Sequence, residues 1–445
     1  MLVDLTPFDE TILGTHTPDP LRFAFPPKKH AHAATHQMPL PLEQGVAAVT
    51  QQLLSLPAQS GPRCLYIHVP FCRVRCTYCH FFQHAASRTL IDSYFAALLK
   101  ELGMKAAMPW TQAQPFEAVY VGGGTPTALS AEQLQQLGQE IRRQFWLTPD
   151  CEITLEGRIN GFDDNAFEHA LDGGFNRFSF GVQSFNTQVR RAAKRLDDGD
   201  TVRERIHALS ARQEATIVVD LLYGLPYQTA EIFRQDVADY LQTGANGIDL
   251  YQLVVAPNTP MLRMVEQGTM PPPATTAEKA SLFAQGVSLM DKHDCRRLSV
   301  NHWARDQREQ SRYNRLAKHG ADILPLGCGA GGSIDGIGIM QHRELASYLD
   351  AMQTNTMPIA RVVDAVEHRR VYDAIKAGLD MGVLHADTLP PWQGMSVFQY
   401  LSPLFAVWQQ HGLVTLCENK LQLTLAGQFW SVTLAQACIY VLQSL

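Results

Sequence analysis

The sequence predicts an α/β fold of parallel strands joined by crossover helices, and three observations support it. Short β-branched and aromatic runs recur at 64–69, 118–122, 152–156, 177–182, 216–222 and 248–255. Segments of helical period lie between them, at 90–107, 131–145, 164–172, 201–212 and 230–243. That alternation implies a partial or full barrel or an open sheet. The third observation concerns where the polar and glycine residues fall: at 72–79, at Gly122-Gly123-Gly124, at Glu156, at Gln183, and at Asp220 near the end of its strand. Parallel barrels carry active sites at the C-terminal ends of their strands. This regularity favours a barrel, and six strands suit a partial (β/α)6 barrel.

The elements follow in order. Residues 1–60 read as an irregular arm rich in proline and histidine (Pro18, Pro20, Pro26, Pro27, His30, His32, His36), with one helix at 41–56. Proline fixes φ and lacks an amide donor, so long regular elements are not expected there. Residues 61–295 form the barrel. Residues 296–355 extend it through β-like pieces at 298–303 and 323–327 and the glycine-rich loop Gly327-Cys328-Gly329-Ala330-Gly331-Gly332. Arginines from Arg296-Arg297 to Arg315 read as a solvated connector or a landing for an acidic electron donor. Residues 356–445 read as helices followed by β-rich pieces at 412–416 and 420–425, a small domain of winged-helix appearance.

Composition sets the class. The 445 residues are 46% apolar and 18% charged, ordinary globular material with room for a large domain and a smaller one. A net charge of −6 argues against a nucleic-acid partner. No apolar run approaches the roughly 18–20 residues of a membrane span, and the first ten residues do not resemble a signal peptide. Nine scattered cysteines do not make a disulfide framework. A reducing cytoplasm is expected.

Cys72, Cys76 and Cys79 are spaced C-x3-C-x2-C directly after the first strand. A cubane iron–sulfur cluster takes thiolate ligands, normally four, so three on one loop would leave one iron open. Three core thiols or a zinc site would also place cysteines here. Zinc loops usually show two C-x2-C pairs or added histidines, and no second pair occurs. The loop resembles that of the radical S-adenosylmethionine (SAM) superfamily, whose partial (β/α)6 barrel holds a [4Fe–4S] cluster with SAM on the open iron.

The resemblance continues along the chain. Gly122-Gly123-Gly124-Thr125-Pro126-Thr127 is similar to the GGGTPT element of the branch containing oxygen-independent coproporphyrinogen oxidases and their haem-handling relatives. Gly181-Val182-Gln183-Ser184-Phe185-Asn186 with Arg195, and Asp220-Leu221-Leu222-Tyr223-Gly224-Leu225-Pro226-Tyr227-Gln228-Thr229, resemble two further elements of that branch. The resemblance implies that Tyr66, Gly123, Glu156 and the Tyr78 backbone contact the cluster-bound SAM. It implies that Gly124, Thr125, Gln183, Arg195 and Asp220 line a second SAM position. Read alone, Glu156, Gln183 and Asp220 would be a satisfied polar network, and Arg195 a surface charge.

Two departures narrow the family. Coproporphyrinogen oxidases carry a cysteine where this chain has Phe81, and several relatives follow the third-strand Glu with Ala-Asn-Pro where this chain has Gly157-Arg158-Ile159. With Tyr313-Asn314-Arg315-Leu316 and the glycine loop, the chain most resembles the anaerobic haem-degrading radical SAM methyltransferases, the anaerobilin synthases. Their chemistry implies haem as substrate, two SAM molecules, ring opening with iron release, and a flavodoxin or flavin reductase as electron donor. The alternatives are an oxygen-independent coproporphyrinogen oxidase and a haem chaperone without turnover. Arg158 is a candidate grip for a haem propionate. His30, His32, His36, His80 and His84 are candidate haem ligands because they lie in the arm or beside the cysteines. Cys328 would either donate a hydrogen atom to a radical or simply fill a crowded turn.

Overall fold

The computed structural model describes residues 2–28, 33, 38–57, 60–79 and 84–444. Six parallel strands cross its centre in chain order: β1 (Arg63–Val69), β2 (Phe116–Gly123), β3 (Leu147–Gly157), β4 (Arg177–Gln183), β5 (Thr216–Tyr223) and β6 (Gly247–Gln252). A hairpin, β7 (Arg296–Ser299) and β8 (His302–Ala304), pairs antiparallel with β6. At the other edge β9 (Asp322–Leu326) runs parallel to β1. Antiparallel β10 (Gly331–Ile334), β11 (Ile337–Gln341) and β12 (Ile359–Val363) follow it. The twelve-stranded order is β12-β11-β10-β9-β1-β2-β3-β4-β5-β6-β8-β7. Among the described residues no ladder joins β7 to β12, so the sheet stays open as a partial barrel.

Three details differ from the sequence expectation. The piece expected at 298–303 is a reversal, because the chain turns at Val300-Asn301 and splits it into β7 and β8; asparagine tolerates such turns. The piece at 323–327 becomes a seventh parallel strand, β9. Residues 359–363, expected in the terminal domain, pair in the main sheet.

Crossover helices α1 (Arg88–Ala106), α2 (Ala131–Gln144), α3 (Asp164–Gly173), α4 (Gly199–Arg212), α5 (Ala230–Thr243) and α6 (Thr276–Lys292) clothe the outside. Several begin at side-chain caps that satisfy otherwise orphaned amides: Ser130 with Gln133, Asp163, Asp198, Thr229, and Thr275 with Glu278. Side chains alternate across a strand. Leu65, Ile67 and Val69 of β1, Val119 and Val121 of β2, and Ile153 and Leu155 of β3 are therefore fully buried on one face. The opposite face is polar and aromatic.

Helix α7 (Arg312–Lys318) inserts Tyr313 into the barrel, where its ring packs on Tyr120 at 4.9 Å and Tyr66 at 6.4 Å. The C-terminal part joins α8 (Arg369–Asp380), α9 (Ser402–Gln410) and α10 (Ser431–Gln443) to a three-stranded antiparallel sheet: β13 (Val383–His385), β14 (Val414–Cys417) and β15 (Lys420–Leu423). The arm is folded onto it. Trp430 Nε1 donates to Pro20 O at 3.0 Å, and Trp408 Nε1 donates to Ile12 O at 3.2 Å. Among the described residues no helix is long and apolar enough to cross a membrane.

Candidate active site

Each strand end contributes one part of a polar mouth. The cysteine loop leaves β1 through Phe71–Cys72, a two-residue strand paired with His84–Ala85. Cys72 and Cys76 are buried and Cys79 is half-buried. Thr125 Oγ1 donates to Cys72 Sγ at 3.3 Å, and Arg158 Nη2 lies 3.9 Å from the same sulfur while Nη1 donates to Val74 O at 3.1 Å. Arg195 Nη2 donates to the Tyr78 hydroxyl at 3.1 Å. The loop is thus ringed by cationic and hydroxyl donors that suit thiolates.

The glycine run is where the backbone comes closest. A Cβ on Gly124 would lie 2.7 Å from Phe71 O, so only glycine lets β2 meet the cysteine loop. The Gly124 amide donates to Val69 O at 2.8 Å. The Gly123 amide, at φ 116, faces Glu156 Oε2 at 3.4 Å. Burial pushes the Glu156 carboxyl up to about 7.

Register explains the rest. Gly122 aligns with His68, Glu156 with Ser179, Gly181 with Asp220, and Asp220 with Asp249. Asp220 accepts from Ser179 Oγ at 3.1 Å; burial, then the Asp249 and Glu156 charges, lift it to about 7. A bulge after Gly181 and a φ of 73 at Gln183 turn that side chain back over Gly181, where it lies beside Arg195. The structure therefore brings Glu156, Gln183, Arg195 and Asp220 onto one mouth with Thr125 and the cysteines. Tyr66 sits deeper, its hydroxyl 2.9 Å from His68 Nδ1.

The two later motifs are stapled together. Asp236 accepts from Ser184 Oγ at 2.9 Å, Phe185 N at 2.7 Å and Gln228 Nε2 at 3.2 Å, while Gln228 Oε1 accepts from Gly224 N at 2.8 Å. Ser184 and Gln228 are positioning residues. Asp236 lies in α5, away from both motifs, which is why the sequence did not single it out.

A buried charge cluster was also missed. His302 Nδ1 lies 2.7 Å from Asp249 Oδ2 and its Nε2 3.1 Å from Glu309 Oε1; Arg177 Nε pairs with Glu309 Oε2 at 2.9 Å. Burial would lower the His302 imidazole, but Asp249 and Glu309 outweigh it and raise it to about 9. The available signal was the lone carboxylate of Asp249 inside the apolar run Gly247-Ile248-Asp249-Leu250-Tyr251, since a charge on a buried strand needs a partner.

Beside the mouth lies a cavity of about 710 Å³, reaching from Tyr78 and Cys79 past Asp249 and Tyr251 to α7 and the C-terminal helices. Several expectations fall elsewhere. Arg158 is not among its lining residues; it faces the cysteine loop, with Thr125 and Arg195 in a separate small cleft. Cys328 is fully buried, with its thiol toward Arg343 O at 3.4 Å. Arg296, exposed, and Arg297, half-buried, belong to β7 and wall the cavity, so this end of the basic stretch is strand rather than connector. His84 contacts Arg343 O at 3.2 Å. His30, His32, His36, His80 and Phe81 lie outside the described residues.

Comparison with known proteins bears on this geometry. Residues 66–239 match the family model described as the radical SAM superfamily. The chain is 38% identical over 411 residues to the anaerobilin synthase of Escherichia coli O157:H7, covering 92% of this chain and 90% of that one. The chain belongs to the radical SAM superfamily. Within it, the heme chaperone HemW of Escherichia coli K12 is 28% identical over 66% of this chain and 80% of its own length. The solved coproporphyrinogen III oxidase of Escherichia coli shares the fold, with a TM-score of 0.74 at 22% identity over 92% of this chain and 96% of that one. Membership of the radical SAM superfamily implies a [4Fe–4S] cluster and SAM, and the residues present fit both. Among the described residues no three His, Cys, Asp or Glu side chains converge as they would on a single ion. A cubane asks less convergence, since its thiolates bind different irons. Arg195 Nε is buried without a partner beside the cysteine loop, a donor left for an anionic group.

Proposed function

We propose that this chain opens haem without oxygen, as a radical SAM methyltransferase that uses two SAM molecules to alkylate the porphyrin, release iron and leave a linear tetrapyrrole. The likeness to an anaerobilin synthase along nearly the whole chain carries this reading. Phe81, in place of a further cysteine, favours it over coproporphyrinogen oxidation. When bound, the cluster with SAM supplies one-electron reductive cleavage of the sulfonium.

The chain's own residues do the binding, orienting and shielding. Cys72, Cys76 and Cys79 would hold the cluster, and Thr125 and Arg158 would orient Cys72 through its sulfur. Gly123, Glu156, Tyr66 and the Tyr78 backbone would seat the first SAM. Gly124, Thr125, Gln183, Arg195 and Asp220 would line the second. Asp220 and Glu156, held near neutrality by burial, can each keep or release a proton at working pH. Electrons would come from a flavodoxin or flavin reductase, and the reaction would run in the cytoplasm.

The test is an anaerobic incubation of reconstituted protein with haem, SAM and a strong reductant. Loss of the Soret band with 5′-deoxyadenosine and a methylene-bearing linear tetrapyrrole is the expected result. Haem recovered intact would overturn the proposal in favour of a chaperone, and decarboxylation of coproporphyrinogen would point to the oxidase.

A further inference from the structure

The cavity of about 710 Å³ is of the size that holds small-molecule ligands, roughly 300–1,000 Å³. Its walls have two characters. Leu222, Leu250, Leu253, Phe283 and Phe429 give it an apolar body, with Tyr78 and Cys79 bordering it at the cluster loop. Where β7, α7 and the C-terminal helices meet, it gathers Lys28, Arg296, Arg297, Arg315 and Lys318. The acidic lining residues are Asp249 and Asp380. Both are engaged, Asp249 with His302 and Asp380 with Lys318 at 2.8 Å. Positive charge is therefore in surplus here, in a chain whose net charge is −6.

The cations are set out for a ligand. Arg315 is exposed at the rim of the cavity, and its side chain has no hydrogen bond or ion pair among the described residues. Arg297 is held in place by Ser299 O, Val300 O and Gln428 Oε1, with its guanidinium 4.8 Å over Trp303. Lys28 Nζ donates to Gln252 Oε1 and Phe429 O and faces no carboxylate among the described residues. Burial and the Lys279 charge push it down to about 7. Lys28 and Arg297 are half-buried; charge drawn out of water with no counterion is costly, and an anion would relieve it.

We propose that the haem macrocycle occupies this cavity, its two propionates gripped by Arg315 and Arg297 and its opposite edge turned toward the Cys79 loop. This rests on the haem-opening reading and replaces Arg158 as the propionate grip. Guanidinium groups match carboxylates bidentately, and the apolar body suits a flat macrocycle. Arg158, turned to Cys72, belongs to the cluster side.

The test is a titration of cluster-loaded, SAM-free protein with zinc protoporphyrin and its dimethyl ester, followed by porphyrin fluorescence. Wild type is expected to prefer the diacid. Arg315→Glu is expected to weaken diacid binding about tenfold and abolish that preference, while its affinity for the dimethyl ester stays at the wild-type value and shows that the fold is intact. Arg315→Lys, which keeps the charge without the fork, is expected to fall between the two. Equal diacid affinity in wild type and Arg315→Glu would overturn the site. If that happens while wild type still opens haem, the proposed function stands and only the site fails. Tight, Arg315-dependent diacid binding without ring opening keeps the site and removes the function.

Discussion

Asp220 and the three loop cysteines do different work, and single substitutions separate them. Cys72→Ala, Cys76→Ala or Cys79→Ala is expected to abolish the brown iron–sulfur chromophore after reconstitution; a normal cubane spectrum in any of them would sink the assignment. Asp220→Ala is expected to assemble its cluster normally yet lose at least about tenfold in turnover. Undiminished turnover would remove Asp220 from the second SAM position. His302 gives a pH signature. Its pKa is raised in the fold, from 6.5 to about 9, so the stability it contributes is fully present below pH 6.5 and is lost as pH rises through about 9. His302→Gln would leave Asp249 without its cation, at a cost of about 3 kcal/mol. Its unfolding midpoint should then lose the slope across that window. A wild-type midpoint flat over the same range would contradict a charged imidazole.

Among the elements, the strand ends matter more than the strands. The glycine run, the Gln183 bulge and the Asp236 staple fix where the side chains point. Gly124→Ala would push a Cβ against Phe71 O, 2.7 Å away, and displace the cysteine loop although every thiol remains. Iron per chain after reconstitution should fall well below wild type; full loading would mean the loop tolerates the shift. The central elements were legible because short β-branched and aromatic runs alternate with segments of helical period. Helix α6 was not read, although Thr275-Thr276-Ala277-Glu278 announces a capping box. β7 and β8 were read as one strand because the turn between them holds only Val300-Asn301, with no glycine or proline to mark it.

In the whole molecule, the arm and the C-terminal helices behave as structural partners rather than appendages. Trp430 is fully buried and hydrogen-bonds to Pro20 O and Leu21 O; the Lys28 ammonium lies 5.8 Å from its ring. Trp430→Ala is expected to cost about 3–5 kcal/mol and to free residues 20–28 for early proteolytic cleavage. Cleavage unchanged from wild type would show that the arm is held elsewhere. The same contact closes the far wall of the cavity, where Lys28 and Phe429 both line it, so substrate affinity and the seating of the arm should fall together.

The sequence by itself determined the thiolate loop, the glycine run, the two later motifs and the order of the barrel strands. Each of these is local: a spacing, a period, or a residue the backbone requires. Only the tertiary structure decided which cations meet which cavity. Arg158 follows Glu156 in the chain, yet its side chain crosses to Val74 and Cys72. Arg297 and Arg315 lie in one basic stretch, but Lys28 comes from the distant arm, and only packing brings all three to one cavity. Long-range convergence of that kind depends on packing, and no spacing along the chain records it.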